Sequence, residues 1–330
     1  MKKAGWVIAL FLYLHSYGQD AVFSHFWTGE NMLNPAMSGH MEADYKGYAK
    51  YKSQWASITD AFTTIGAGGE CNFFRKSNNP SYLGVGLFLV QDQAGSSQLK
   101  RLQVEGSASY QLSAGPNNNF AAGIGLSYFQ RSISYDGLLW DSQYNGSGVD
   151  PSLVSGENLT SDQSSSVDAS IGGLWEHDKK RHYRVGLSWK HFIQPQGFLE
   201  GQRDQWIPMQ VFTGAYFSNF DHFDIDYHLL VSRQGGAMQY AGGALLHYRF
   251  GADSKYTTAN TSNQIIGGLM HRYQDAWIPV IGYEYERLVK VLFSYDLNTS
   301  RLRDDTNLQG GMEISLIYSG QLISGRRKLR

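Results

Sequence analysis

Cysteine is almost missing from this chain. Cys71 is the single one in 330 residues, so no intrachain disulfide framework and no cysteine-rich zinc site can form. Charge is sparse at 17%, against roughly 25% in an average protein. The 28 basic and 29 acidic side chains leave a formal net charge of -1, which removes the basic footprint of a nucleic-acid binder. Past the N-terminus there is no run of about 20 apolar residues, which excludes helical membrane spans. A mean hydropathy of -0.36 resembles that of a soluble protein. A transmembrane β-barrel gives the same average, because its apolar residues are interleaved with polar ones. What the chain has in excess is glycine, 37 residues or about 11% against about 7% on average, and aromatics at 14%.

The first eighteen residues have the form of an export signal. Lys2 and Lys3 supply the positive start, Ala4 to Leu14 a short apolar stretch, and Ser16-Tyr17-Gly18 the small residues at a cleavage site. Cleavage there starts the mature chain at Gln19. No lipobox Cys follows, so a lipoprotein is not expected, and Cys71 reads as a small apolar residue inside a strand.

From there on, apolar and polar residues alternate, segment after segment. Side chains of a strand point alternately to its two faces, so period-two alternation means two different environments. In Leu99–Leu112 the residues Leu102, Val104, Gly106, Ala108, Tyr110 and Leu112 oppose Arg101, Gln103, Glu105, Ser107, Ser109 and Gln111. The same pattern marks segments around Phe120–Tyr128, Tyr183–Trp189, Phe223–Val231, Val289–Leu297 and Met312–Tyr318. Weaker alternation occupies Tyr45–Lys52, Ala61–Phe74, Ser81–Gln91, Ser166–Glu176, Ile207–Phe217, Ala237–Phe250, Asn263–Tyr273 and Ala276–Glu286, which brings the expected number of strands to about fourteen (12–16). An even number suits a bacterial barrel with both termini on the periplasmic side.

A soluble β-sandwich also alternates, but two features favour a membrane barrel. Aromatics begin or end the apolar faces (Tyr110, Phe120, Tyr128, Trp189, Tyr295, Tyr318), as interfacial girdles do. Charges stand in mid-strand on the polar faces (Glu105, Arg184, Lys190, Asp224, Asp226, Lys290), where a wet lumen accepts them and a sandwich core does not. Connection lengths agree. Short turns such as Ala114–Asn118 and Ser218–Asp221 alternate with longer loops, Ser132–Ser165 and Gln194–Trp206, that fall on one side. The expected fold is all-β: a transmembrane antiparallel barrel over 45–319, a non-barrel segment over 19–44 folded inside the lumen or against the periplasmic rim, and a basic periplasmic tail over 320–330.

No sequence motif carries catalysis. Neither G-x-S-x-G, H-E-x-x-H nor a Walker A loop is present. Ser188 and His191 are close in sequence but on opposite strand faces, so they do not form a nucleophile–base pair. Asp221, Asp224 and Asp226 resemble a calcium cluster, and the strand register reassigns Asp224 and Asp226 to a lumen wall. No cofactor is expected.

Five short elements, in order, carry a family resemblance. They are Gln19-Asp20-Ala21-Val22-Phe23-Ser24-His25-Phe26 with Leu33-Asn34-Pro35-Ala36-Met37-Ser38-Gly39, then Tyr51-Lys52-Ser53-Gln54-Trp55, then Gly84-Val85-Gly86-Leu87 through Asp92-Gln93-Ala94-Gly95, then Phe293-Ser294-Tyr295-Asp296, and last Glu313-Ile314-Ser315-Leu316. The chain resembles the PorP/SprF family of membrane proteins associated with the type IX secretion system of Bacteroidetes, with Met312 where that family usually has His. The resemblance implies an outer-membrane protein that supports secretion, or retention at the surface, of a cargo such as a gliding adhesin. Its implied partners are outer-membrane lipid, the C-terminal domain of the secreted adhesin, and components of the secretion machinery. It brings no catalytic residues. Asn34 and Pro35, in a turn that Pro35 keeps out of any central strand, and Trp55 are the candidate partner-binding residues. An outer-membrane diffusion channel or a substrate-specific porin is the alternative function.

Overall fold

The computed structural model describes residues 20, 22–56, 60–75, 81–94, 99–133, 141–150, 152–153, 163–179, 181–194, 206–250, 263–301, 303 and 306–321. Residues 1–18, read above as an export signal, most of the basic tail and much of the two longest loops lie outside these residues. Fourteen strands follow one another: β1 (Tyr45–Gln54), β2 (Phe62–Phe73), β3 (Tyr82–Ala94), β4 (Leu99–Ser113), β5 (Asn118–Ser132), β6 (Gln163–Asp178) and β7 (His182–Lys190). The second half comprises β8 (Met209–Asn219), β9 (Phe223–Gln234), β10 (Ala237–Phe250), β11 (Asn263–Arg272), β12 (Ala276–Tyr285), β13 (Val289–Asn298) and β14 (Gln309–Gly320). Each pairs antiparallel with its sequence neighbours, and β14 pairs with β1 to close the barrel. No strand is left with a free edge along the whole sheet, which removes the pairing hazard of an open one.

Alternation is what orients the wall. On β4, Gln103, Glu105, Ser107, Ser109 and Gln111 are buried in the lumen, while Tyr110 and Leu112 stand outside. On β5, Ile124 and Leu126 are 63% and 69% exposed on the outer surface, a cost that water would not tolerate over a whole sheet and lipid does. Tyr110, Phe120, Tyr128, Trp189 and Tyr318 are exposed on that same outer surface. Tyr45 pairs with Gly320, so both ends of the barrel chain meet at one rim, here called the terminal rim. The opposite rim carries the two longest connections, which follow β5 and β7, while the connection after β10 lies at the terminal rim.

One expectation needs correction. The inward face is not uniformly wet. Phe88, Val90, Met209, Val211, Leu230, Leu245, Ile266, Met270, Ile278, Val280, Leu292 and Ile317 all point inward and form one apolar cluster. Their partners are Phe23, Phe26, Met32 and Tyr48, and three of these four precede the first strand. A lumen in contact with water would not hold this cluster; a lumen filled with protein does.

Candidate functional site: a plugged lumen between two vestibules

The filler is the N-terminal segment. It starts at Asp20 near the loop rim, makes two single 3-10 turns at Glu30–Met32 and Pro35–Met37, and reaches the terminal rim at Asp44, whose N–H donates to the Gly320 carbonyl at 3.0 Å. The wall grips it mainly through its backbone. Lys50, Lys52 and Lys190 donate their ammonium groups to the carbonyls of His25 (2.8 Å), Val22 (3.0 Å) and Met32 (2.7 Å). Ser188 and Ser109 donate to the carbonyls of Leu33 and Ser38, each at 2.6 Å, and Gln111 donates to that of Ala36 at 2.9 Å. Carboxylates accept the amides: Glu313 takes Ser24 N–H at 2.5 Å and His25 N–H at 3.0 Å, and Glu70 takes Gly39 N–H at 2.9 Å. A segment without strand partners must place its backbone polar groups somewhere, and here the wall side chains receive them.

The charges that the sequence places in mid-strand are thereby accounted for. Arg184 forms a two-oxygen contact with Glu30 on the plug, 2.7 Å to each oxygen. Lys290 pairs with Glu284 (2.8 Å), Asp224 with Arg249 (3.1 Å) and Asp226 with His247 (3.0 Å). Glu105, fully buried, accepts from Ser127 at 2.8 Å and Ser170 at 2.9 Å. Among the described residues no three metal-ligating side chains converge, so the aspartates near 224 are wall ion pairs and hold no calcium geometry.

Asn34 and Pro35 sit at the narrowest part of the fit. The Asn34 side chain caps the turn by accepting Ala36 N–H at 2.9 Å and donates outward to the Gly173 carbonyl at 3.0 Å. Wall glycines make this possible. A Cβ added at Gly172 would lie 1.9 Å from Asn34 Oδ1, and one at Gly123 would lie 2.5 Å from the Pro35 carbonyl and Ala36 nitrogen. Part of the glycine excess therefore marks where plug backbone touches wall backbone. Trp55 lies elsewhere. It follows β1 at the loop rim in a left-handed conformation (φ 55), packed edge-on against Phe62 with ring centroids 5.0 Å apart. The structure thus separates the three candidates: two fasten the plug, one lines the loop-rim opening.

At the loop rim the plug is latched. His191, one residue past β7, stands between two carboxylates: Nε2 is 2.8 Å from Asp20 and Nδ1 is 2.8 Å from Asp168. Arg101 adds a 3.0 Å contact to Asp20. Burial pulls the His191 pKa down, but the Asp20 and Asp168 carboxylates outweigh it and carry it to about 9. Burial likewise pushes Asp20 up, and the charges of His191 and Arg101 bring it well below its usual value. The latch is therefore doubly charged at neutral pH. His191 contributes fully below about pH 6.5 and loses its contribution as pH rises through about 9, while Asp20 loses its own only as pH falls below the carboxylate range. The apparent melting temperature should fall as pH rises from about 6.5 to about 9, and His191→Gln should flatten that decline. An unchanged alkaline slope in the variant would reject the latch. His25 behaves oppositely: burial lowers its pKa, so its ring is neutral where it meets Ser315 Oγ at 2.8 Å.

The plug leaves openings above and below. At the loop rim a vestibule of about 540 Å³ is lined by Trp55, Phe62, Trp206 and Tyr273, with Arg101, Arg131 and Arg272 among its charges and with Asp20 and Val22 of the plug as its floor. The Arg101 and Arg131 guanidinium groups lie 5.0 and 4.9 Å from the Trp206 ring centroid. At the terminal rim two openings of about 850 and 320 Å³ share Met41, Glu42 and His182. Ser188 and His191 are committed to Leu33 and to the two aspartates, so no nucleophile–base pair forms there.

A closed fourteen-strand barrel with an apolar outer belt and a folded segment in its lumen defines a plugged outer-membrane protein. The chain belongs to the PorP/SprF family, the type IX secretion system membrane proteins, whose family model matches residues 15–318. Solved structures of similar fold include outer-membrane channels. A deltaS2S3 mutant of the TodX monoaromatic hydrocarbon channel superposes with a TM-score of 0.51 at 9% identity, covering 89% of this chain and 94% of that one. The CymD monoaromatic hydrocarbon channel gives 0.47 at 13% identity over 92% and 96%. A Pseudomonas aeruginosa FadL homologue gives 0.47 at 10% identity over 87% and 92%. At such identities the TodX likeness shows the fold alone. No curated protein matches the chain. The terminal rim carries both barrel ends and the loop rim the two longest connections, the asymmetry by which outer-membrane barrels place their termini in the periplasm and long loops outside.

Proposed function

We propose that this protein is a non-catalytic scaffold of type IX secretion that holds an exported cargo at the cell surface. It is exported through a signal removed after Gly18, and it receives the cargo, a gliding adhesin in the simplest case, by that partner's C-terminal domain. The observation that carries this reading is the contrast between a filled lumen and an open outer vestibule. A filled lumen suits a binding protein better than a solute channel. The vestibule offers aromatic rings and arginines, the side chains that dominate protein–protein hot spots. Trp55 takes part directly, whereas Asn34 and Pro35 act by seating the plug that floors the vestibule.

Co-purification tests it. Trp55→Ala combined with Tyr273→Ala should reduce recovery of the exported partner on the order of a hundredfold, the scale of two hot-spot truncations at about 1–2 kcal/mol each. The barrel itself should still run as a compact band on unheated gels. Undiminished recovery would reject the vestibule as the docking face.

A further inference from the structure

The outer wall carries a second feature that faces lipid. Register places Ile171, Trp189, Gln210, Arg233 and Met238 side by side in one row across β6 to β10. Two residues further into the membrane, Gly173, Leu187, Phe212 and Val231 form the next row. Together they line a groove of about 510 Å³ on the outside of the barrel, which shares only Met238 with the loop-rim vestibule. Its depth exists because Gly173 has no side chain between Ile171 and Leu187.

The two rows differ in chemistry. The inner one is apolar. The outer one carries Gln210 and Arg233, each one residue from a strand end at the loop rim: β8 begins at Met209 and β9 ends at Gln234. That is the depth of lipid headgroups. Arg233 is exposed, and no carboxylate pairs with it among the described residues. Every other arginine named above is engaged by a carboxylate or stacked on Trp206. An unpaired guanidinium above an apolar trough complements one ligand class: an acyl chain below, a phosphate above.

We infer that this groove is a binding site for a phosphorylated acyl lipid of the outer leaflet, the lipid A part of lipopolysaccharide, with Arg233 on a phosphate and an acyl chain over Gly173 beside Leu187. Trp189, packed edge-on with Phe192 at 5.5 Å, closes one side at the interface. Apart from Met238 at their common edge, the groove and the vestibule have different linings.

The test uses the full-length protein in nanodiscs containing lipid A, followed by native mass spectrometry after detergent transfer. The intact protein should retain lipid A. Arg233→Ala should lower retention on the order of tenfold, as loss of a charge-assisted contact implies. Lipid A stripped of its phosphates should be lost from the intact protein to the same degree. Gly173→Leu fills the trough and should also release the lipid. Its added Cβ meets nothing closer than the Ala121 carbonyl at 3.9 Å, so the barrel tolerates it. Equal retention by Arg233→Ala overturns the proposal, as does phosphatidylglycerol held as tightly as lipid A. So does a dimer through this face that forms without lipid.

Discussion

Removal of residues 20–40 will turn a closed barrel into a conducting one. In planar bilayers the intact protein should show no steady current, and the deletion should pass ions continuously. The physical reason is the lumen's size. Eight-stranded barrels are filled by their own side chains, whereas sixteen or more strands leave an aqueous channel. Fourteen lie between, and here the gap is filled by Phe23, Phe26 and Met32 packed on one sector and by the Asn34-Pro35 turn on the other. Gly172→Val tests the same idea without a deletion. The wall there has no room beside Asn34 Oδ1, so the turn must leave its seat. This variant should conduct intermittently. An intact protein that already conducts, or a deletion that folds and stays closed, would rule out the plug as the closure.

The second large effect concerns Glu313. Its two oxygens accept the amides of Ser24 and His25, and the carboxylate is fully buried. Glu313→Ala leaves both amides without an acceptor, each costing about 1–3 kcal/mol. The upper half of the plug should then detach, and the whole barrel should lose about 2–6 kcal/mol if plug and wall unfold together. Glu313→Gln keeps one oxygen, so it should recover roughly half of the loss. The quantity to measure is the denaturant midpoint for conversion of the compact band to the unfolded one. A Glu313→Ala protein that unfolds with the intact chain would show that these amides find other acceptors.

The wall of this protein could be read from the sequence. The fourteen alternating segments correspond to the fourteen strands, with ends that differ by a few residues. β6 begins at Gln163 instead of Ser166 because its pairing with β5 continues up to Ser132. Side-chain period two is a local property, so ten residues are enough to reveal it. The outward positions of Tyr110, Leu126 and Leu187 follow from the same rule. The family, too, was legible, because five short elements stand in order along the chain.

The interior was not. Nothing near Glu313 in the sequence announces that it holds Ser24 and His25, almost 290 positions away. The lumen-facing Leu230 and Leu292 break the polar pattern of their strands for a reason that lies on another segment, the apolar side of the plug. The mid-strand charges invited the reading of a wet wall, yet Arg184 and Lys190 serve Glu30 and the Met32 carbonyl. Alternation thus gave the strands and their approximate number, and the aromatic ends of the apolar faces with the mid-strand charges gave a barrel and the face that meets lipid. Only the closed structure decided that its lumen is occupied, that Asn34 and Pro35 fasten the occupant while Trp55 lines the loop-rim opening, and that Arg233 has no carboxylate partner among the described residues. The division has one cause: strand periodicity is written between neighbours, whereas contacts between plug and wall join residues that only closure of the sheet brings within reach.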